Sequence, residues 1–187
     1  MASAVEVFRS WLRCNGRGEL RVIQVESAPR RPWIPFLTLL AALILLVLPM
    51  QELPGGFVPD WVSLVLIYWA LAFPVRMGVP IAWVTGLIVD IITLGIPGAH
   101  AFTKSLIVYI TGSLALRIRA FPIWQQSVVV FLLLSLELAS LVIISGLTGE
   151  AVTGLHRWTA VVVGALLWPL IYHVLRRSRH SSNLRGS

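Results

Sequence analysis

The sequence predicts an all-α integral membrane protein with six transmembrane helices, short loops and both termini in the cytoplasm. Hydrophobic residues make up 57% of the 187-residue chain and charged residues 12%, and the mean hydropathy is +0.85. A soluble domain is typically about half apolar and about a quarter charged, and one of this size could not bury so much apolar surface. The apolar residues also lie in long runs, as in membrane spans. These observations exclude soluble enzymes, nucleic-acid-binding modules and secreted disulfide scaffolds.

Six apolar runs are predicted as spans, because a transmembrane helix needs about 20 mostly apolar residues. They cover residues 33–50, 61–75, 77–96, 99–116, 124–147 and 158–175. The first ends next to Pro49, before a Pro-Gly-Gly loop, and the second is the short uncharged run between Asp60 and Arg76. The third ends at Pro97, since proline lacks the N–H that continues a helix.

Charged residues and a proline also delimit the last three runs. The fourth takes in Lys104 and ends before Arg117, the fifth begins after Pro122, and the sixth lies between Arg157 and Arg176. The predicted organisation is therefore a basic cytoplasmic tail (1–32), a six-helix transmembrane domain (33–175) and a second basic cytoplasmic tail (176–187).

The first tail has two interpretations. Val5, Phe8 and Trp11 follow helical spacing with Arg9 and Arg13 between them, which favours a short interfacial helix. The alternative is a poorly ordered basic tail, or sequence upstream of the true start codon.

The placement of basic residues supports six spans with an inside start. In this topology all of the 15 Lys and Arg residues except Lys104 and Arg157 belong to cytoplasmic segments. The positive-inside rule predicts this asymmetry. The net charge of +7 is then a topology signal and a contact with anionic headgroups of the lipid bilayer. It does not indicate a nucleic-acid partner.

Three ionisable residues lie within the predicted spans and need a partner, water or a function there. Asp90 lies in the third predicted span and Lys104 in the fourth, at similar depths below the turn that joins them. This placement predicts an ion pair between the two spans. The pair is either purely structural or shapes a partner or ligand site. Glu137, near the middle of the fifth span, has no partner at its depth. It is either protonated and hydrogen-bonded to a neighbouring helix or part of a polar cavity lining.

The sequence predicts no catalytic residue, cofactor or metal site. His-Glu-x-x-His, a phosphate-binding glycine loop and Gly-x-Ser-x-Gly are absent. An intramembrane aspartyl protease needs two aspartates within spans, and only Asp90 is there. Cys14 is the single cysteine, and His100, His156 and His173 are too scattered to bind one metal ion. What remains is either a scaffold or a binder and carrier of small molecules.

Four stretches carry a family pattern. They are Pro59-Asp60-Trp61 through Tyr68-Trp69 to Pro74, Gly86-Leu87-Ile88-Val89-Asp90 leading to Gly95, Trp124-Gln125-Gln126, and Gly164 to Leu167-Trp168-Pro169. Each is weak alone, but in order and spacing they resemble the MreD family of bacterial rod shape-determining membrane proteins. The resemblance covers residues 31–179. The first thirty residues depart from it, since family members begin close to the first span.

The resemblance implies a non-enzymatic subunit of the cell-elongation complex (elongasome) in the bacterial inner membrane. It implies association with MreC, which links the MreB filament to RodA and the elongation penicillin-binding protein for peptidoglycan synthesis. It also implies a fold similar to the substrate-binding subunits of vitamin transporters. A small-solute carrier with a polar intramembrane cavity is therefore the alternative function.

Three sets of residues are candidates for interaction and packing. Within the membrane, a polar partner face is predicted from Asp90, Lys104 and Glu137. A cytoplasmic interface, or alternatively an interfacial anchor, is predicted from Arg117, Arg119, Trp124, Gln125 and Gln126. Helix packing is predicted at Gly86, Gly164, Trp168 and Pro169, because small residues allow close contact. A scaffold predicts that helices cover Asp90 and Glu137, whereas a carrier predicts that these two residues line a cavity admitting a ligand.

Overall fold

The computed structural model describes residues 33–47, 58–74, 78–149 and 156–180, which form six α-helices. These are α1 (Ile34–Val47), α2 (Trp61–Ala72), α3 (Val79–Thr93), α4 (Ala99–Ala120), α5 (Ile123–Thr148) and α6 (His156–His180). The predicted all-α class is confirmed, and the helices coincide with the six apolar runs. The predicted tail 1–32, Arg76 and residues 181–187 lie outside the described residues.

The helices differ in length. Three segments are long and apolar enough to cross a membrane: Ala99–Ala120, Ile123–Thr148 and Arg157–Arg177. The first three helices have 14, 12 and 15 residues, about 18–23 Å at 1.5 Å per residue. Helices α2 and α3 are shorter than the predicted runs because a proline and a tight turn follow them. Pro74 follows α2, and Leu94 ends α3 with a φ of 50°.

Helix α2 lies at the centre of the bundle. Each residue from Val62 to Ala72 is buried, and α2 packs against α1, α4, α5 and α6. A helix that is apolar on all sides needs neighbours on all sides. Trp69 is fully buried in this core, and its Nε1 donates to Thr38 Oγ1 of α1 at 2.8 Å.

Helix α6 runs parallel to α2. A Cβ built on Gly164, in the third turn of α6, would lie 3.7 Å from Cδ1 of Leu64, in the first turn of α2. Further along both helices in the chain direction, the rings of Tyr172 and Tyr68 meet edge to face with centroids 5.9 Å apart. Both helices therefore end at the same end of the bundle.

The outer faces of the other five helices are apolar. Large exposed side chains include Phe36, Leu40, Trp83, Ile91, Phe102, Leu116, Leu132, Ile143, Leu166 and Leu170. Soluble monomers rarely expose contiguous apolar patches of more than a few hundred Å². This surface fits a multi-pass membrane protein.

Candidate functional site

An ionic cluster of Asp60, Ser63, Lys104 and Glu137 joins three helices. Ser63, Lys104 and Glu137 are buried, and the Asp60 side chain is 37% exposed. Lys104 Nζ donates to Asp60 Oδ2 at 2.7 Å, to Ser63 Oγ at 2.6 Å and to Glu137 Oε1 at 2.8 Å. An ammonium has three protons, so every donor of this lysine is used. The Lys104 side chain is 0% exposed. The cluster thus ties α4 to the start of α2 and to the middle of α5.

The start of α2 explains why Asp60 and Ser63 face the lysine. Asp60 is the N-cap of α2, and its Oδ1 accepts from the backbone N–H groups of Val62 at 3.0 Å and Ser63 at 3.1 Å. These groups have no partner inside the helix, and an aspartate at this position satisfies them. Ser63 Oγ lies 3.0 Å from Asp60 Oδ2 and 2.8 Å from Glu137 Oε1. Its single proton goes to one of the two carboxylates.

The electrostatics of the cluster depend on one cation between two carboxyl groups. Burial alone would raise the pKa of the Asp60 carboxyl, but the charge and hydrogen bond of Lys104, with the bonds from Ser63, lower it from 3.8 to about 2. Asp60 is therefore ionised at neutral pH. Its stabilising contribution is lost only as the pH falls from about 3.8 toward 2.

The predicted Asp90–Lys104 pair is wrong. Asp90 instead accepts from the backbone N–H groups of Gly98 and His100, both at 2.9 Å, and of Ala101 at 3.3 Å. His100 Nδ1 also lies 2.9 Å from Asp90 Oδ1. The N–H groups at the start of a helix need an acceptor, and the φ of 91° at Gly98 turns the chain so that Asp90 supplies it. The prediction used only the similar depths of Asp90 and Lys104 in the membrane. Depth does not determine which neighbouring helix the Lys104 side chain faces.

The expectation that Glu137 has no partner at its depth is also wrong. Its carboxylate contacts Lys104 and Ser63, and the residue is 4% exposed. A depth counted along one helix ignores the reach of a lysine, whose four-carbon stem carries its charge several ångströms along the membrane normal.

Replacement of Asp90 by alanine is expected to lower the free energy of unfolding by about 2 kcal/mol, because buried N–H groups lose their acceptor. The measurement is SDS-induced unfolding of the purified protein in detergent micelles. Thr93→Val is the matched control, since Thr93 is exposed one turn away on the same helix. Equal stability of the two variants would contradict the capping role of Asp90.

The opposite end of α2 is held by Arg119. Its Nε donates to the carbonyl of Leu71 at 2.6 Å, and its Nη2 donates to the carbonyls of Leu71 and Ala72, the latter at 2.8 Å. The last carbonyls of a helix lack partners inside it, and a guanidinium satisfies them. Helix α4 therefore runs parallel to α2 and holds both of its ends, through Lys104 and through Arg119.

Arg119→Gln is expected to lower the free energy of unfolding by about 1 kcal/mol through loss of these hydrogen bonds. Arg117 is exposed on the same turn of α4, so Arg117→Gln is the matched control and is expected to leave stability unchanged. Thermal unfolding followed by tryptophan fluorescence compares the two. A larger effect of Arg117→Gln would contradict the role given to Arg119.

The predicted cytoplasmic interface residues do not form one exposed set. Trp124 is 66% exposed and Gln125 is half-buried. Gln126 is only 4% exposed, and its Nε2 donates to the carbonyl of Phe121 at 3.1 Å, which closes the turn before α5. Arg117 and Trp124 are thus the exposed members whose side chains make no hydrogen bond to another helix within the part of the chain that the structure describes.

Of the predicted packing residues, the two glycines lie at close contacts between helices and the tryptophan is fully buried. A Cβ on Gly86 would lie 2.3 Å from Ala101 Cα, and a Cβ on Gly164 would lie 2.9 Å from Leu134 Cδ1. Trp168 is 0% exposed, and Pro169 lies inside α6. In the described residues, no three His, Cys, Asp or Glu side chains are grouped to hold a metal ion.

Sequence reasoning missed Asp60 and Ser63 as members of the cluster. The sequence analysis placed Asp60 at the border of the second span and in the Pro59-Asp60-Trp61 stretch of the family pattern, but did not predict an ion pair for it. The available signal was local: an aspartate before an apolar run, with serine three residues later, is typical of a helix N-terminus. That signal identifies the cap but not the lysine from another helix.

The chain is similar to known rod shape-determining proteins. The family model described as "rod shape-determining protein MreD" matches residues 31–178. Rod shape-determining protein MreD of Haemophilus influenzae is 32% identical over 149 residues, which covers 75% of this chain and 89% of that protein. No solved structure matches the chain.

Proposed function

Because the chain belongs to the MreD family of rod shape-determining proteins, we propose that it is a non-enzymatic scaffold of the bacterial cell-elongation complex in the inner membrane. In this role it binds MreC and helps to link the MreB cytoskeleton to lateral peptidoglycan synthesis by RodA and the elongation penicillin-binding protein. The family supports the role in cell shape, and the pairing of the ionisable side chains inside the bundle supports a scaffold.

In this proposal all six helices cross the membrane with both termini in the cytoplasm. Neighbouring helices surround the short helix α2 and separate it from lipid. Its length therefore need not equal the thickness of the hydrocarbon core. Helices α2, α4 and α6 end on the same side, where Arg117, Arg119, Arg176 and Arg177 lie. Arginine at one end of the bundle is what the positive-inside rule expects for the cytoplasmic side.

One observation favours a scaffold over a carrier: the ionisable side chains inside the bundle are paired with other groups of the protein itself. Lys104 uses its three protons on Asp60, Ser63 and Glu137. Asp90 is occupied by three backbone N–H groups. A carrier related in fold to vitamin-transporter subunits would hold such groups ready for a ligand. Here Asp90 and Glu137 are each 4% exposed, covered by helices.

Depletion of the protein in its own rod-shaped host tests this function. We expect cells to round and swell, because lateral synthesis loses its membrane link, and we expect the intact gene to restore rods. Microscopy of cell length and width is the readout. Rods that persist, with a growth defect cured by a nutrient, would instead support the carrier.

A further inference from the structure

Helix α4 carries an outward-facing stripe around its midpoint, formed by Tyr109, Gly112, Ser113 and Leu116. These residues follow helical spacing, so they share one face. Tyr109 is 64% and Leu116 74% exposed. Tyr109 lies halfway along a helix of 22 residues, about 16 Å from either end at 1.5 Å per residue. In a bilayer this is the middle of the hydrocarbon core.

The hydroxyl of Tyr109 has no acceptor among the described residues. Several other hydroxyls in these helices donate to a carbonyl of their own preceding turn: Thr85 to Ile81, Thr111 to Ile107 and Ser113 to Tyr109. The hydroxyls of Ser105 and Ser135 make no hydrogen bond within the described ranges, but they are buried inside the bundle and do not face the lipid. A tyrosine cannot do this, because its rigid ring holds the hydroxyl away from its own backbone. Lipid chains offer no acceptor, and a polar group without one is costly at this depth.

Packing within the chain does not require glycine at position 112. A Cβ there would have its nearest neighbour at 3.8 Å, the Cβ of Pro74, whereas a Cβ on Gly86 would lie 2.3 Å from Ala101 Cα. Glycine weakens the interior of a helix. Gly112 and Ser113 leave a shallow notch between Tyr109 and Leu116, and small residues of this kind allow a second helix to approach closely.

We propose that this stripe docks one transmembrane helix of another membrane polypeptide. The helix presents a hydrogen-bond acceptor to the Tyr109 hydroxyl at mid-membrane depth and packs into the notch at Gly112. The match is one of polar complementarity, since a protein helix supplies the acceptor that lipid lacks. The proposal rests on the scaffold function and deepens it by naming the face that receives a partner.

Site-specific photocrosslinking in living cells tests the docking surface. A benzophenone amino acid replaces Leu116 on the stripe or, as the control, Leu166 of α6, which has the same exposure (74% and 73%). We expect an adduct from position 116 alone, mapped by mass spectrometry to a transmembrane segment of another polypeptide. Tyr109→Phe and Gly112→Leu, each combined with the probe, are expected to lower its yield at least about fivefold, which corresponds to about 1 kcal/mol of lost affinity.

Four results would overturn the proposal. Equal adducts from both positions would indicate a face that meets neighbours at random. An adduct joining two copies of this chain would make the stripe a self-contact. Yields unchanged by Tyr109→Phe, which keeps the ring and the fold, would remove the hydroxyl from recognition. Cells that round on depletion while position 116 gives no adduct would reject this face alone, whereas normal rods on depletion would reject the scaffold function itself.

Discussion

Lys104→Met is expected to destabilise the protein by about 3–5 kcal/mol, the cost of removing one partner from a buried ionic network. The substitution keeps most of the side-chain volume but leaves Asp60 and Glu137 facing each other without the cation. Glu137 is buried and the Asp60 side chain is 37% exposed, so their repulsion is only partly screened. We expect the variant to unfold at a lower SDS fraction in micelles and to accumulate less in membranes.

Two controls separate charge from packing at this site. Arg117→Met removes a cation from an exposed position of the same helix and is expected to change stability by less than about 0.5 kcal/mol. Lys104→Met combined with Asp60→Asn and Glu137→Gln keeps the shapes and removes all three charges. We expect this triple variant to recover much of the lost stability, because a neutral replacement of a buried ion pair is often tolerated. If Lys104→Met alone unfolded at the same SDS fraction as the wild-type protein, the cluster would contribute nothing to stability.

Gly86→Ala is expected to lower the free energy of unfolding. Overpacking usually costs about 1–3 kcal/mol, and the loss here is expected to reach or exceed the upper end of that range. The added methyl group would lie 2.3 Å from Ala101 Cα, 2.6 Å from its nitrogen and 2.6 Å from the carbonyl oxygen of His100. All three are backbone atoms, so no side chain can turn away and the hairpin of α3 and α4 has to separate. This strain also disturbs the contact of Asp90 with the first turn of α4.

Gly112→Ala is the matched control for Gly86→Ala. Both glycines lie inside helices, but the methyl group at position 112 has room, so this change is expected to stabilise the isolated protein by up to about 1 kcal/mol. Unfolding of both variants in the same micelles gives the comparison. Equal effects of the two substitutions would contradict the close approach of α3 and α4.

How far the site could be predicted varied with the kind of interaction. Gly86 could be predicted as a packing residue, because a small residue in an apolar run indicates close packing. The backbone segment that packs against it could not be predicted. Lys104 and Glu137 were recognised as groups that need partners, since charges in apolar runs are costly. Their mutual contact was missed, because partners were sought by depth. The contact of Asp60 with Lys104 was missed, because a charge at the border of a span needs no partner inside the membrane.

Composition, apolar runs and the order of four short motifs determined the fold class, the six helices and the family of this protein. These features depend on residue types and spacing along one chain, and the bilayer constrains them strongly. Only the tertiary structure decided that α2 lies at the centre, that Lys104 pairs with Asp60 and Glu137, and that Asp90 caps α4. Each of these depends on how far one helix is rotated about its axis relative to its neighbours. That rotation is set by the packing of several helices together, which no single run of residues encodes.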